Sequence, residues 1–76
     1  MKQIEVNSLW YGDHFICNGS VYCLIRFNPQ DRTIEAIKAI YDEPRAYGNI
    51  MVSFDYGDKV VFLPRAELSK YYSQES

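Results

Sequence analysis

Three side chains in this sequence carry the softer kinds of chemistry, His14, Cys17 and Cys23, and their spacing decides what they can do together. A zinc ion needs about four ligands converging at roughly 2.0–2.3 Å, and a thiol nucleophile needs a base within hydrogen-bond reach. Asn18-Gly19, between the two cysteines, is the strongest two-residue hairpin signal in the chain. With those two residues as the loop, Cys17 faces Ser20, Ile16 faces Val21, Phe15 faces Tyr22 and His14 faces Cys23. Side chains alternate along a strand, so Cys17 and Cys23 fall on opposite faces of the ribbon, and Cys17 also points away from His14. That register predicts no disulfide, which suits a reducing compartment. It also predicts no metal site and no cysteine–histidine dyad.

The carboxylates read the same way. Asp42-Glu43 and Asp55 with Asp58 sit in or beside turns, where Asp is expected for capping and solvation. General acid–base work needs a pocket to hold a substrate, and a chain of 76 residues leaves little room for one. No phosphate-binding loop, dinucleotide fingerprint or serine elbow occurs. The expectation is a protein that is not an enzyme and uses no cofactor.

The elements that position these residues are short strands. Gln3 to Val6 reads as a first strand and Leu9 to Asp13 as a bend punctuated by Gly12. His14 to Cys17 and Ser20 to Phe27 are strands two and three, followed by a turn over Asn28-Pro29-Gln30-Asp31-Arg32. Thr33 to Tyr41 fits both an extended and a helical spacing, and its β-branched content and preceding turn favour strand. Pairing across a four-residue loop, Pro29 to Arg32, then sets Phe27 against Ile34, Arg26 against Glu35, Leu24 against Ile37 and Tyr22 against Ala39. Asp42 to Asn49 is the longest loop. Ile50 to Phe54 alternates Ile50, Val52 and Phe54 inward with Met51 and Ser53 outward. Tyr56-Gly57-Asp58 turns into Lys59 to Leu63, Pro64 ends that strand, and Ala66 to Tyr72 adds one short helical turn. The prediction is a single domain over residues 1–72 with a frayed polar tail at 73–76. It is mostly β: a small five- or six-stranded antiparallel SH3-like barrel or strongly bent sheet with a short C-terminal helical turn.

The stretch Val6-Asn7-Ser8-Leu9-Trp10-Tyr11-Gly12-Asp13-His14-Phe15-Ile16-Cys17-Asn18-Gly19-Ser20-Val21-Tyr22-Cys23-Leu24-Ile25 resembles the opening of the KOW-type barrel of the elongation factor P family. There too a leucine precedes a Gly-Asp-type turn, a strand, a Gly-tipped hairpin and an apolar strand. The resemblance covers about a quarter of the chain and implies the barrel. It does not imply the translation function, because the loop that carries the functional lysine in that family is here Asn28-Pro29-Gln30-Asp31-Arg32, without lysine or glycine.

Composition bounds the partners. Eight Lys and Arg against ten Asp and Glu give a net charge of −2, which offers no long-range attraction for phosphate backbones or anionic lipid. No apolar run approaches the roughly 20 residues that span a bilayer, and the N-terminal residues lack a signal-peptide core, so a cytoplasmic protein with no membrane contact is expected. Apolar residues make up 47% of the chain, with seven Tyr and four Phe, and this is more than one core face requires. On the face expected to carry Tyr22, Leu24, Ile37, Ala39 and Tyr41, the apolar surface exceeds what solvation needs, while Val21, Cys23, Ile25, Phe27, Ile34 and Ala36 supply the other. A surplus aromatic face is a contact surface for a protein partner or for a second copy in a homodimer. The residues assigned to it are Tyr22, Leu24, Ile37, Tyr41 and Tyr47; Trp10 and Tyr11 either rim it or, for Trp10, plug one end of the barrel.

The reading is a non-enzymatic module that occludes or adapts a surface of a larger protein, similar in size and style to bacteriophage accessory proteins that inhibit a host enzyme. Two alternatives come from other classes. A KOW-like RNA- or DNA-binding domain would use Arg26, Arg32 and Arg45 beside stacking tyrosines, against the charge balance. A small-ligand-binding homo-oligomer would need a cavity that one copy cannot enclose.

Overall fold

The Asn18-Gly19 turn is where the fold declares itself. In the computed structural model, which describes residues 2–39 and 47–68, both residues have positive φ, +52° and +80°. That is the backbone of the tight hairpin turn whose twist matches its strands. It joins β2 (His14–Cys17) to β3 (Ser20–Asn28), paired His14 to Cys23, Phe15 to Tyr22, Ile16 to Val21 and Cys17 to Ser20, the register expected from the sequence. Both thiols are free.

The remaining strands are β1 (Ile4–Glu5), β4 (Thr33–Ala39), β5 (Tyr47–Asp55) and β6 (Lys59–Leu63), with 3-10 turns at Val6–Ser8 and Arg65–Glu67. All pairings are antiparallel, in one sheet of order β1-β6-β2-β3-β4-β5. The sheet is open, and the two edges are β1 and β5. The Val6–Ser8 turn at the β1 edge nevertheless touches β4 and β5, which requires the sheet to coil round its own core. Of the expected fold, mostly β with either a five- or six-stranded antiparallel SH3-like barrel or a strongly bent sheet, the mostly β class and the antiparallel six-stranded sheet are observed, and the sheet is open, not a closed barrel. The short helical turn expected over Ala66 to Tyr72 is a 3-10 turn at Arg65–Glu67 among the described residues. No helix among the described residues is long and apolar enough to cross a membrane.

Thr33 to Ala39 is strand, as favoured; Ile40 and Tyr41 lie outside the described residues. Across the β3–β4 turn, Phe27 faces Ile34 and Arg26 faces Glu35 as expected. Arg26 Nε donates to Glu35 Oε1 at 3.0 Å. Both side chains reach solvent, so this pair contributes at most about 1 kcal/mol. Beyond it the expected register fails. Leu24 pairs with Ala36, Cys23 with Ile37 and Tyr22 with Lys38, in place of Leu24 with Ile37 and Tyr22 with Ala39, because the ladder slips between Leu24 and Arg26. Ile25 is the extra residue of a β-bulge, and an odd insertion exchanges the faces of everything on one side of it.

The interior follows from that slip. Val6, Leu9, Phe15, Leu24, Ile34, Ala36, Phe54 and Val60 form the main core, with Tyr22, Phe27 and Val52 packed against it. Phe15, Tyr22 and Phe54 meet at its centre, Phe15 stacked on Tyr22 at 5.6 Å and edge-on to Phe54 at 5.2 Å. On the outer face, Val21 and Leu63 make a second, smaller cluster, with Ile16 and Leu68 against it. The C-terminal 3-10 turn thus covers one part of that face. The expected contact of Leu68 with Tyr71 or Tyr72 lies outside the described residues.

Two further expectations are corrected at β5. The strand starts at Tyr47, not Ile50, because its backbone pairs with Ala39 after an irregularity in the β4–β5 ladder. Phe54 is buried and Val52 half-buried as expected, but Ile50 is 54% exposed: the strand outruns the core before its alternation ends.

Candidate protein-binding surface

Trp10 and Tyr11 stand on a turn held from both ends. Asp13 Oδ2 accepts the Trp10 N–H at 2.8 Å, and the Asp13 N–H donates to the Trp10 carbonyl at 3.0 Å. Gly12 takes φ +84° between them, a conformation that costs residues with a Cβ roughly 1–2 kcal/mol. The turn is docked on β3: the Gly12 N–H donates to the Leu24 carbonyl at 2.8 Å, and the Leu24 N–H to the Asp13 carbonyl at 2.9 Å. Asp13 is the short acceptor such a turn needs, and the β2–β3 pairing carries it to Leu24.

This turn sets the two rings on Phe27. Tyr11 meets Phe27 edge-on with centroids 5.2 Å apart, Trp10 lies 5.9 Å from it, and Trp10 and Tyr11 are themselves edge-on at 4.9 Å. Phe27 continues to Tyr56 at 6.3 Å. Trp10 is 67% exposed and Tyr11 51%, so Trp10 rims a surface and does not plug the end of the sheet. Leu9 and Asp13, which bracket the two rings in the chain, also line a groove of about 670 Å³ with Ile4, Phe62, Leu63 and Pro64. The result is an aromatic knob beside an apolar trough.

The residues assigned from sequence do not share one surface. Leu24 is 1% exposed and belongs to the core, and Tyr22 is half-buried between Phe15 and Phe54. Ile37 lies on the opposite face, paired with Cys23 on one side and Met51 on the other. The bulge is the cause, since it turns Tyr22 and Leu24 inward and leaves Ile37 outside with Cys23, the exposed Met51 and the bulged Ile25. Tyr47 is placed by its backbone opposite Ala39; Tyr41 and Arg45 lie outside the described residues. Arg26 is paired with Glu35. Arg32 is exposed, with φ +56°, and its carbonyl accepts the Tyr56 N–H at 3.0 Å. The Arg26 guanidinium is thus engaged by Glu35, whereas only the backbone of Arg32 is engaged and its side chain is exposed.

The two thiols and the histidine of the hairpin are shifted toward their neutral forms. Burial, then the charge of Asp58, pushes the Cys17 thiol up, and burial, then Asp13, does the same for Cys23. Both are poor nucleophiles at neutral pH. His14 is held below its ordinary value, chiefly by burial and then by Arg65, with Asp13 opposing. The fold therefore prefers the neutral ring. As pH falls through about 6.5 the unfolded chain takes a proton that the folded chain refuses, and stability drains until the lowered folded value is passed. Urea unfolding at pH 7.5 and at pH 5.5 will show a smaller loss of stability for His14→Gln than for the wild type; equal losses would show that His14 does not contribute.

The chain matches no family model, no curated protein and no solved structure.

Proposed function

We propose that this chain is a non-enzymatic protein-binding module of the cytoplasm that occludes or adapts a surface of a larger partner, with Trp10 and Tyr11 as its anchors. One observation carries the reading. Two large aromatic side chains are left in solvent on a turn fixed by Asp13 and by β3, so their ordering is complete before a partner arrives. Tyr and Trp anchors of this kind supply contact area at low entropic cost and dominate protein interfaces. Ile37, with Ile25 and Met51, is a second apolar strip. Inhibition of an enzyme, in the manner of a bacteriophage accessory protein, is the form of occlusion that suits so small a chain.

The test is capture from nuclease-treated lysate in about 0.3 M salt, which screens phosphate contacts, with wild type and Trp10→Ala side by side, followed by titration of the captured protein. Loss of an anchor costs about 2 kcal/mol or more, a 30-fold weaker complex, while circular dichroism stays unchanged because Trp10 is mostly solvated. Equal affinity for the variant would sink the assignment of the site. Retention of nucleic acid alone, at low salt without nuclease, would replace this reading with the KOW-like RNA- or DNA-binding one.

A further inference from the structure

The two edges of the sheet are built differently. β1 is only two residues, Ile4–Glu5, one of them charged. β5 runs nine residues and pairs only with β4 among the described residues. From Tyr47 to Phe54 it carries no Lys, Arg, Asp, Glu or Pro. Sheet proteins ordinarily blunt a free edge with charge, proline, a bulge or extreme shortness, because its open N–H and C=O groups otherwise template another strand. The β4–β5 ladder is irregular between Tyr47 and Met51, but over Met51–Phe54 the edge has none of these protections, and Ile50 and Met51 beside it are 54% and 51% exposed.

We infer that β5 pairs antiparallel with β5 of a second copy of this chain, about a two-fold axis perpendicular to the sheet, joining two six-stranded sheets into one of twelve strands. The axis sets like faces side by side, so positions of equal parity must meet. Met51 opposite Met51 places Ile50 opposite Val52, a pairing that covers exposed apolar side chains and brings no like charges together. A second copy is favoured over another protein's strand because this uncharged edge is complementary to itself, with nothing to repel its copy and no charge to select a different partner. The inference rests on β5 alone and is independent of the Trp10 surface.

Sedimentation equilibrium of the full chain from about 1 to about 300 µM, a range bracketing a modest interface, tests it together with hydrogen exchange of the Ile50–Phe54 amides. The wild type is expected to shift from 8.9 kDa to twice that mass, with β5 protection rising in step. The double variant Ile50→Lys, Met51→Lys is expected to stay at 8.9 kDa with its circular dichroism retained. Ser53→Lys, at an exposed position, weakens the same pairing and serves if the double variant does not fold. A wild-type monomer throughout the range would overturn the inference, and so would a dimer that the lysines leave intact. β5 protection that is independent of concentration would mean an edge covered within one chain. Protection that appears only with another protein would mean a foreign strand; both also overturn it.

Discussion

Phe15→Ala is expected to leave little or no folded protein at physiological temperature. Phe15 is fully buried, stacked on Tyr22 and edge-on to Phe54, and lies on β2 between two neighbours, opposite Tyr22 on β3 and Phe62 on β6. Removing such a ring costs about 3–5 kcal/mol in lost transfer energy and residual cavity. At roughly 0.05–0.15 kcal/mol per residue, a chain of 76 residues has about 4–11 kcal/mol in all, so the loss takes about a quarter of the total at the least. The surrounding strands cannot close the gap cheaply, because the β2–β3 register is fixed by the turn at Asn18-Gly19. Urea unfolding followed by far-ultraviolet circular dichroism gives the answer. A midpoint shift worth less than about 1 kcal/mol would mean that the ring does not sit in a packed core.

Leu24→Ala is the second large effect, about 2–5 kcal/mol, and its contrast with the next residue is the sharper part. Leu24 is 1% exposed and Ile25 37%. Ile25 and Arg26 both point outward because of the bulge, so Ile25→Ala should cost less than about 1 kcal/mol. The same unfolding measurement on both variants reads the bulge directly, since equal losses would place Ile25 inside and remove the slip. It also separates folding from binding. A Leu24→Ala or Tyr22→Ala protein that fails to capture a partner reports a damaged core, whereas Trp10→Ala and Ile37→Ala change surface.

How far the sequence carried the fold can be seen at these residues. Asn18-Gly19 determined a turn, the turn determined the β2–β3 register, and the register placed Cys17 and Cys23 on opposite faces, all from local backbone preference. Arg26 opposite Glu35 followed from the length of the Asn28 to Arg32 turn. The bulge at Ile25 was not legible, because an isoleucine inside an apolar run gives no sign of being supernumerary. The bonds that Leu24 makes to Gly12 and Asp13 come from a segment eleven or twelve positions earlier in the chain, outside the reach of any local pattern. The cost of missing one residue was a whole face: Tyr22 and Leu24 exchanged sides relative to Ile37, and the surface assigned from alternation dissolved. Trp10 and Tyr11 were visible as aromatics beside a Gly-Asp turn, yet only their exposure in the folded chain distinguishes a displayed pair from a plug.

The Trp10 turn also decides what light will report. Trp10 is the only tryptophan in the chain, and two-thirds of its surface is already in water, so its emission is close to that of a solvated indole before any denaturant is added. Unfolding removes its contacts with Tyr11 and Phe27 but changes its hydration little. Burial under a partner changes that hydration greatly. The tryptophan emission of this protein is thus expected to follow unfolding of the core weakly and the proposed occupation of the Trp10 surface strongly, without a label.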